Sequence, residues 1–308
     1  MVIDATRMKN LGDRFAEGEV RGRSLWADAR RRFFRNKAAV GGLVMLALIT
    51  LLALFGDSLA QWSNEEIDFD VMGQAAQVGQ PSIGNGHYFG TDDLGRDLYS
   101  RTLQGTRISL MVGIVGSLIA VIVGTLYGAV SGYVGGRTDQ ILMRTVDILL
   151  AVPFMFVVIL LLVMFGRSLF MLFFGIGLMS WLNMARIVRG QTLSLKHKEY
   201  VEAAQATGVP TFTIILRHIV PNLVGIVAVY ATLLVPEMIL IESFISFLGL
   251  GVQEPLTSWG ALISEGVSTM NYGMLWQLFI PLGFFVISIF AFFFIGDGLR
   301  DALDPKDR

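Results

Sequence analysis

Apolar residues along this chain come in long runs, separated by polar segments of very unequal length. Runs of this length match the roughly 30 Å of hydrocarbon that a helix crosses in about 20 residues. The pattern predicts an all-α membrane protein with six transmembrane helices. They fall over residues 38–56, 108–134 and 140–165, from the turn at 166–168 to Trp181, and over 223–245 and 275–295. The chain then divides into a polar segment 1–37, a first helix 38–56, a second polar segment 57–106, a five-helix core 107–297 and a tail 298–308. Inside the core lies a polar loop, 199–222.

The charges on the polar segments give the direction of each crossing. Residues 1–37 carry ten Lys or Arg, too long and too basic for the leading region of a cleaved signal peptide, so this end belongs in the cytoplasm. Segment 57–106 has eight Asp or Glu against only Arg96 and Arg101, and segment 249–273 has no cation, so both read as outside. Arg137 with Arg144, and Arg186, Arg189, Lys196 and Lys198, mark inside turns. Both termini are expected in the cytoplasm and the 199–222 loop with them.

Within the first segment Ser24 is placed to cap a helix. Leu25, Ala29 and Phe33 share a face with Trp26, and Arg30, Arg31, Arg32 and Arg35 take much of the remainder. That distribution suits a helix lying on an anionic lipid surface. A nucleic-acid arm is excluded by the apolar span that follows at once. In the second span Gly116, Ala120, Gly124, Gly128, Gly132 and Gly136 recur at every fourth position, a stripe that lets two helix backbones approach closely, here within the same subunit.

The loop EYVEAAQATGVPTFTIILRHIVPN is the stretch polar enough for water between two apolar flanks. Good helix formers run from Glu199 to Thr207. Gly208 stands where a helix C-terminus takes the left-handed conformation, and Pro210 stops the helix from resuming in line. A short helix, a turn and a second short helix opened by Thr211 are expected. Ala203 and Ala204 give the first helix a low face for a partner's groove, and Glu202 offers one charge for pairing there.

Composition agrees with the class: 54% hydrophobic, 16% charged, mean hydropathy +0.62. With no cysteine there is no disulfide, thiolate metal site or thiol nucleophile, and His87, His197 and His218 have no ligand spacing, so no metal site is expected. None of the five lysines follows a glycine, so no phosphate-cradling GxxxxGK[ST] loop exists. Nothing supports an enzyme, and no cofactor is expected in this chain.

Glu202-Ala203-Ala204, Gly208 and Pro221 resemble the EAA loop of permease subunits in bacterial ABC importers, with His218 and Val220 departing from the Ile and Leu common there. The outer segment His87-Tyr88-Phe89-Gly90-Thr91-Asp92-Asp93-Leu94-Gly95-Arg96-Asp97 resembles the HxFGTDxxGRD signature of the C-type permease of oligopeptide and dipeptide importers. Phe247-Leu248-Gly249-Leu250-Gly251, Pro255, Ser258-Trp259-Gly260 and Gly296-Asp297-Gly298 resemble that subfamily too. The resemblance implies a type I ABC importer architecture in the bacterial inner membrane, paired with a homologous B-type permease. Two ATPase subunits holding ATP and Mg and a periplasmic peptide-binding protein complete the implied assembly, and the Glu202–Gly208 loop would pass ATPase force to the spans.

Other residues carry expectations of their own. Asp147, Asn183, Glu237 and Glu242 are the polar groups nearest the spans and the candidate pathway residues, with exposure at the outer end an equal reading for both glutamates. Asp147 is alternatively a partner for Arg144 or for another helix. The HYFGTDDLGRD segment reads as a self-contained plug or as a contact for the delivery protein, with a local Arg96–Asp97 ion pair. Trp259 is expected at the membrane interface. Rival readings are an ion-coupled secondary transporter using Asp147, Glu237 and Glu242, and a permease for a non-peptide cargo such as nickel or glutathione.

Overall fold

The computed structural model describes residues 25–303. The Ser24 cap, the placements of the Leu25 and Trp26 side chains, and the last five residues lie outside that description. Every regular element among the described residues is helical, and only isolated bridges join Ile67 to Arg96 and Thr91 to Asp97.

Helix α1 (Leu25–Arg35) meets α2 (Lys37–Phe55) at Asn36, whose Oδ1 accepts from Ala38 N and Ala39 N at 3.1 and 3.2 Å. A short polar cap thus closes an otherwise apolar helix at its entry. After a long polar segment holding the one-turn helix α3 (Ala75–Val78) comes α4 (Leu98–Val134). It begins ten residues before the apolar run, because Asp97 caps it through Ser100 N at 2.8 Å and its polar first turns are buried under the preceding segment.

The third apolar run is not one straight span. It forms α5 (Gly136–Ala151) and α6 (Phe154–Phe165), bent by 76°. Pro153 supplies no N–H and biases Val152 toward extended backbone, which breaks the helix between them. Gly166 at φ +98° turns the chain into α7 (Leu169–Leu195), where Ser168 Oγ accepts from Met171 N at 3.2 Å. Helix α8 (Glu199–Ala206) leads to α9 (Thr211–Phe247), and α10 (Trp259–Thr269) precedes α11 (Leu275–Leu303). The last helix continues past the Gly-Asp-Gly motif, since Gly296 packs on Leu233 of α9 and Gly298 on Ala39 of α2. Among the described residues five helices are long and apolar enough to cross a membrane, six if the bent pair counts as one.

The seam between α4 and α7 is a close one, lined by glycines. A Cβ at Gly124 would sit 2.6 Å from Met184 Cβ and 2.8 Å from Trp181 O, one at Gly132 would sit 2.8 Å from Arg189 O, and one at Gly128 would collide with Ala185 O. Gly116 instead faces Met238 and Ile176. The small-residue stripe is therefore used inside the subunit. Gly136 does not belong to it: its Cβ position is open, and its role is the turn, at φ +56° beside Gly135 at +70°. Arg189 locks the same seam by donating through Nε and Nη2 to Asp139 of α5, both at 2.6 Å, while Ser131 Oγ donates to Asp139 Oδ1 at 2.6 Å.

Gly128→Val forces α4 and α7 apart and is expected to cost about 1–3 kcal/mol from overpacking. Gly190→Ala, at a helical position with open space, should leave the melting temperature unchanged or slightly raised. Thermal melting of both variants in detergent checks the contrast.

Candidate functional site

Two polar structures stand at opposite ends of the bundle: an elbow between α8 and α9, and a lobe over the first turn of α4. In the elbow, α8 ends in a Schellman closure, with Val209 N donating to Ala204 O at 3.1 Å and Gly208 N to Gln205 O at 3.0 Å. Gly208 sits at φ +77° with nothing near its Cβ position, so backbone conformation rather than crowding demands glycine. Pro210 then starts α9 on a new course.

The second arm is not a short separate helix. It is the beginning of α9 itself, through a π turn at Ile215–Ile219 in which Val220 N bonds to Ile215 O. That extra residue per turn falls just before Pro221, whose ring would crowd the carbonyl of Arg217 in an unbroken α-helix. Elbow and span are thus one rod.

Burial divides the EAA positions. Val201 and Ala204 pack with Ile214, Ile215, Ile219 and Leu223 of α9 and with Met184 and Val188 of α7. Glu202 and Ala203 are exposed. The expected partner face made of both alanines is therefore corrected: Ala204 belongs to the subunit's own core, and the outward face is Glu202, Ala203 and Ala206.

In the lobe, His87 is fully buried and stacked on Trp62 at 4.8 Å between ring centroids. Its Nδ1 lies 2.9 Å from Asp97 Oδ1 and its Nε2 3.3 Å from Asp68 Oδ2, so an imidazolium donates to both carboxylates and a neutral ring to one. Asp92 is buried as well. Its Oδ1 accepts from Leu94 N and Arg96 N, both at 2.9 Å, and its Oδ2 from Arg96 Nε at 2.6 Å and from Arg101 Nη1. Arg101 also donates to both oxygens of Glu265 on α10, at 2.7 and 3.0 Å. The local Arg96–Asp97 pair does not form: the two side chains leave the backbone toward different partners, Arg96 to Asp92 and Glu254, Asp97 to His87.

The remaining motif residues hold the lobe's shape. Gly90 and Gly95 both adopt φ +81°, and a Cβ on Gly90 would sit 2.7 Å from Gly79 O. Phe89 packs edge-on against Tyr99 at 5.0 Å, and Thr91 O accepts from Trp276 Nε1 and Gln277 Nε2, both at 3.0 Å. The lobe is thereby stitched to α4, α10 and α11. Trp259 is not at a membrane interface. It is fully buried, with Nε1 donating to Thr106 Oγ1 at 3.0 Å.

Residues 100–308 match the model of the binding-protein-dependent transport system inner membrane component, and residues 24–76 that of the N-terminal TM domain of oligopeptide transport permease C. The chain is 58% identical to the oligopeptide transport system permease protein OppC of Escherichia coli K12 over 308 residues, all of both chains. It is 54% identical to the OppC of Haemophilus influenzae over 305 residues, covering 99% of this chain and 96% of that one. With the dipeptide transport system permease protein DppC of Bacillus subtilis it shares 44% over 281 residues, 91% of this chain and 86% of that one.

The chain belongs to the binding-protein-dependent transport permease family. In this permease the four candidate pathway residues are not gathered into one cluster, and no hydrogen bond or ion pair joins any two of them among the described residues. Asp147 is exposed and accepts from Arg186 Nη2 of α7, not from Arg144. Asn183 and Glu237 are exposed on the isolated subunit. Glu242 is not exposed: it is fully buried and accepts from Ser246 Oγ at 2.7 Å, Ser109 Oγ at 3.0 Å and Ser243 Oγ at 3.3 Å. Ser109 in turn accepts from Trp259 N and Ser246 from Val252 N, which aims both hydroxyl protons at the carboxylate. Sequence reasoning missed these serines, along with Trp62, Asp68, Arg101 and Glu265: Ser109 lies 133 positions from Glu242, and Ser243 and Ser246, though neighbours of Glu242, turn toward it only once α4 and α10 bury the group.

Arg101→Met leaves buried acceptors with a lost partner and is expected to destabilise the detergent-solubilised permease by about 3 kcal/mol. Arg107→Met, which breaks an exposed pair with Asp57, should cost under about 1 kcal/mol. Melting of the two variants side by side tests this.

The Arg96 hydrogen bond, aided by the charges of Arg96 and Arg101 against a smaller effect of burial, holds the Glu254 carboxyl below its ordinary 4.5. A depressed folded value contributes stability above the ordinary one, and that contribution disappears as pH falls through the lowered value. The melting difference between wild type and Glu254→Gln is therefore expected to be constant above pH 4.5 and to vanish on acidification below it.

Proposed function

We propose that this permease imports peptides, oligopeptides or dipeptides, across the bacterial inner membrane, powered by ATPase subunits that it does not itself contain. The full-length likeness to permeases named for oligopeptide transport supports the cargo class. The observation that carries the mechanism is the elbow: a glycine-hinged helix docked on the first turns of a membrane-length rod, with Glu202 and Ala203 facing outward.

In this reading Glu202, Ala203 and the Gly208 turn engage an ATPase subunit, while Ala204 and Pro221 act from behind, fixing α8 onto α9 and the angle of α9. Two such ATPases bind ATP and Mg, a homologous B-type permease completes the pathway, and a periplasmic binding protein delivers the peptide. Alternating access follows when the nucleotide-bound motors clamp the elbows and bias the bundle toward its outward-facing state. The chain has no phosphate-cradling loop and is not an enzyme. Both termini lie in the cytoplasm, with the elbow.

The lobe, from His87 to Asp97, acts as a rigid outer cover. Its buried charged side chains, His87, Asp92 and Asp97, are held in ion pairs, which favours a fixed cap over a peptide-holding site. Asp147, Asn183 and Glu237, exposed on a membrane-spanning surface, face the pathway or the second permease. Glu242 serves instead as the buried tie of α4 to α9 and α10.

Gly208→Val together with Glu202→Arg is expected to leave the subunit inserted at normal abundance while ATP hydrolysis by the assembly no longer drives peptide uptake. Uptake of labelled peptide into proteoliposomes, measured beside ATP turnover, decides. Normal uptake would remove the elbow's assigned role.

A further inference from the structure

Helix α1 carries a feature that the proposed transport mechanism does not use. Arg30, Arg31 and Arg35 are exposed, as is Lys37 at the start of α2. Arg30, Arg31, Phe34 and Arg35 follow one another at the spacing of a single helix face, and Phe34, 60% exposed, stands among the cations. Elsewhere Arg96, Arg101, Arg107, Arg186 and Arg189 each hold a carboxylate. Arg30, Arg31, Arg35 and Lys37 form no ion pair among the described residues.

The position of these cations is fixed. Ala29 is buried where α1 packs against α11, and Asn36 alone separates α1 from the apolar helix α2. A one-residue joint holds α1 at the level where the hydrocarbon ends. Exposed guanidinium groups at that depth, beside an aromatic ring able to enter the acyl boundary, suit the phosphodiester groups of lipid headgroups.

We infer that the exposed face of α1 is a binding site for anionic phospholipid, with Arg30, Arg31, Arg35 and Lys37 on the headgroup phosphates and Phe34 in the acyl boundary. The inference rests on the membrane insertion of α2 but not on the cargo or on ATP coupling. Because Ala29 and Asn36 fix α1 to α11 and α2, a lipid held there tethers the inner end of two spans at once. Each cation near an anionic surface strengthens attraction about fivefold, so the four together give a marked preference over zwitterionic lipid.

The test uses the full chain in nanodiscs of phosphatidylcholine with or without phosphatidylglycerol, with retained lipids counted by native mass spectrometry after mild detergent exchange. Wild type is expected to retain phosphatidylglycerol preferentially and to lose that preference as salt rises. Arg30→Gln, Arg31→Gln and Arg35→Gln combined should reduce the preference about a hundredfold, and the same three changed to Lys should keep most of it. Should the neutral variant fail to insert, the salt series on wild type stands alone. Equal retention of both lipids, a preference indifferent to salt, or a neutral variant that keeps its phosphatidylglycerol but loses an associated ATPase would each overturn the inference. Peptide uptake does not enter the readout, so a wrong cargo assignment leaves the result intact.

Discussion

Two helix backbones approach along α4 and α7 with glycine on one side of the contact at Gly124, Gly128 and Gly132. In a membrane the hydrophobic effect does not press helices together, so such close contact, with its dispersion and its ion-paired end at Asp139 and Arg189, must hold the pair. The rest hangs from it. The first turns of α4 carry the lobe, and α7 leads into α8 through three residues. Met184 and Val188 of α7 are also part of the bed on which Val201 and Ala204 lie. A wider seam would loosen both polar ends together.

The lobe and the Glu242 node solve one problem by different means. Buried charge is costly unless paired or fully hydrogen-bonded. The lobe pairs its charges, Asp92 with two arginines and His87 between two aspartates. The node has no cation and surrounds one carboxylate with serine hydroxyls that backbone N–H groups orient. Both draw α4 toward α10 and the segment before it, so these helix ends are held as one piece.

Much of this was legible in the sequence. Apolar run length located the spans, and Gly208 followed by Pro210 located the elbow, because left-handed backbone and a missing N–H are properties of single residues. What escaped depended on distance in the chain. Polar residues 98–107 read as loop, since only the folded lobe buries them. Arg96 and Asp97 read as a pair because they are neighbours, yet consecutive side chains diverge. Pro153 within an apolar run is compatible with a kink or a break, and only packing chose the 76° bend. Glu242 looked like a pathway group because Ser109, 133 positions away, does not announce itself.

The 37 residues of α9 extend from the elbow to Phe247 without interruption. At 1.5 Å per residue such a rod measures about 55 Å, so a tilt of about 5° at one end displaces the other by roughly 5 Å. A small change of angle at one end of this helix thus becomes a displacement wider than a water molecule at the other.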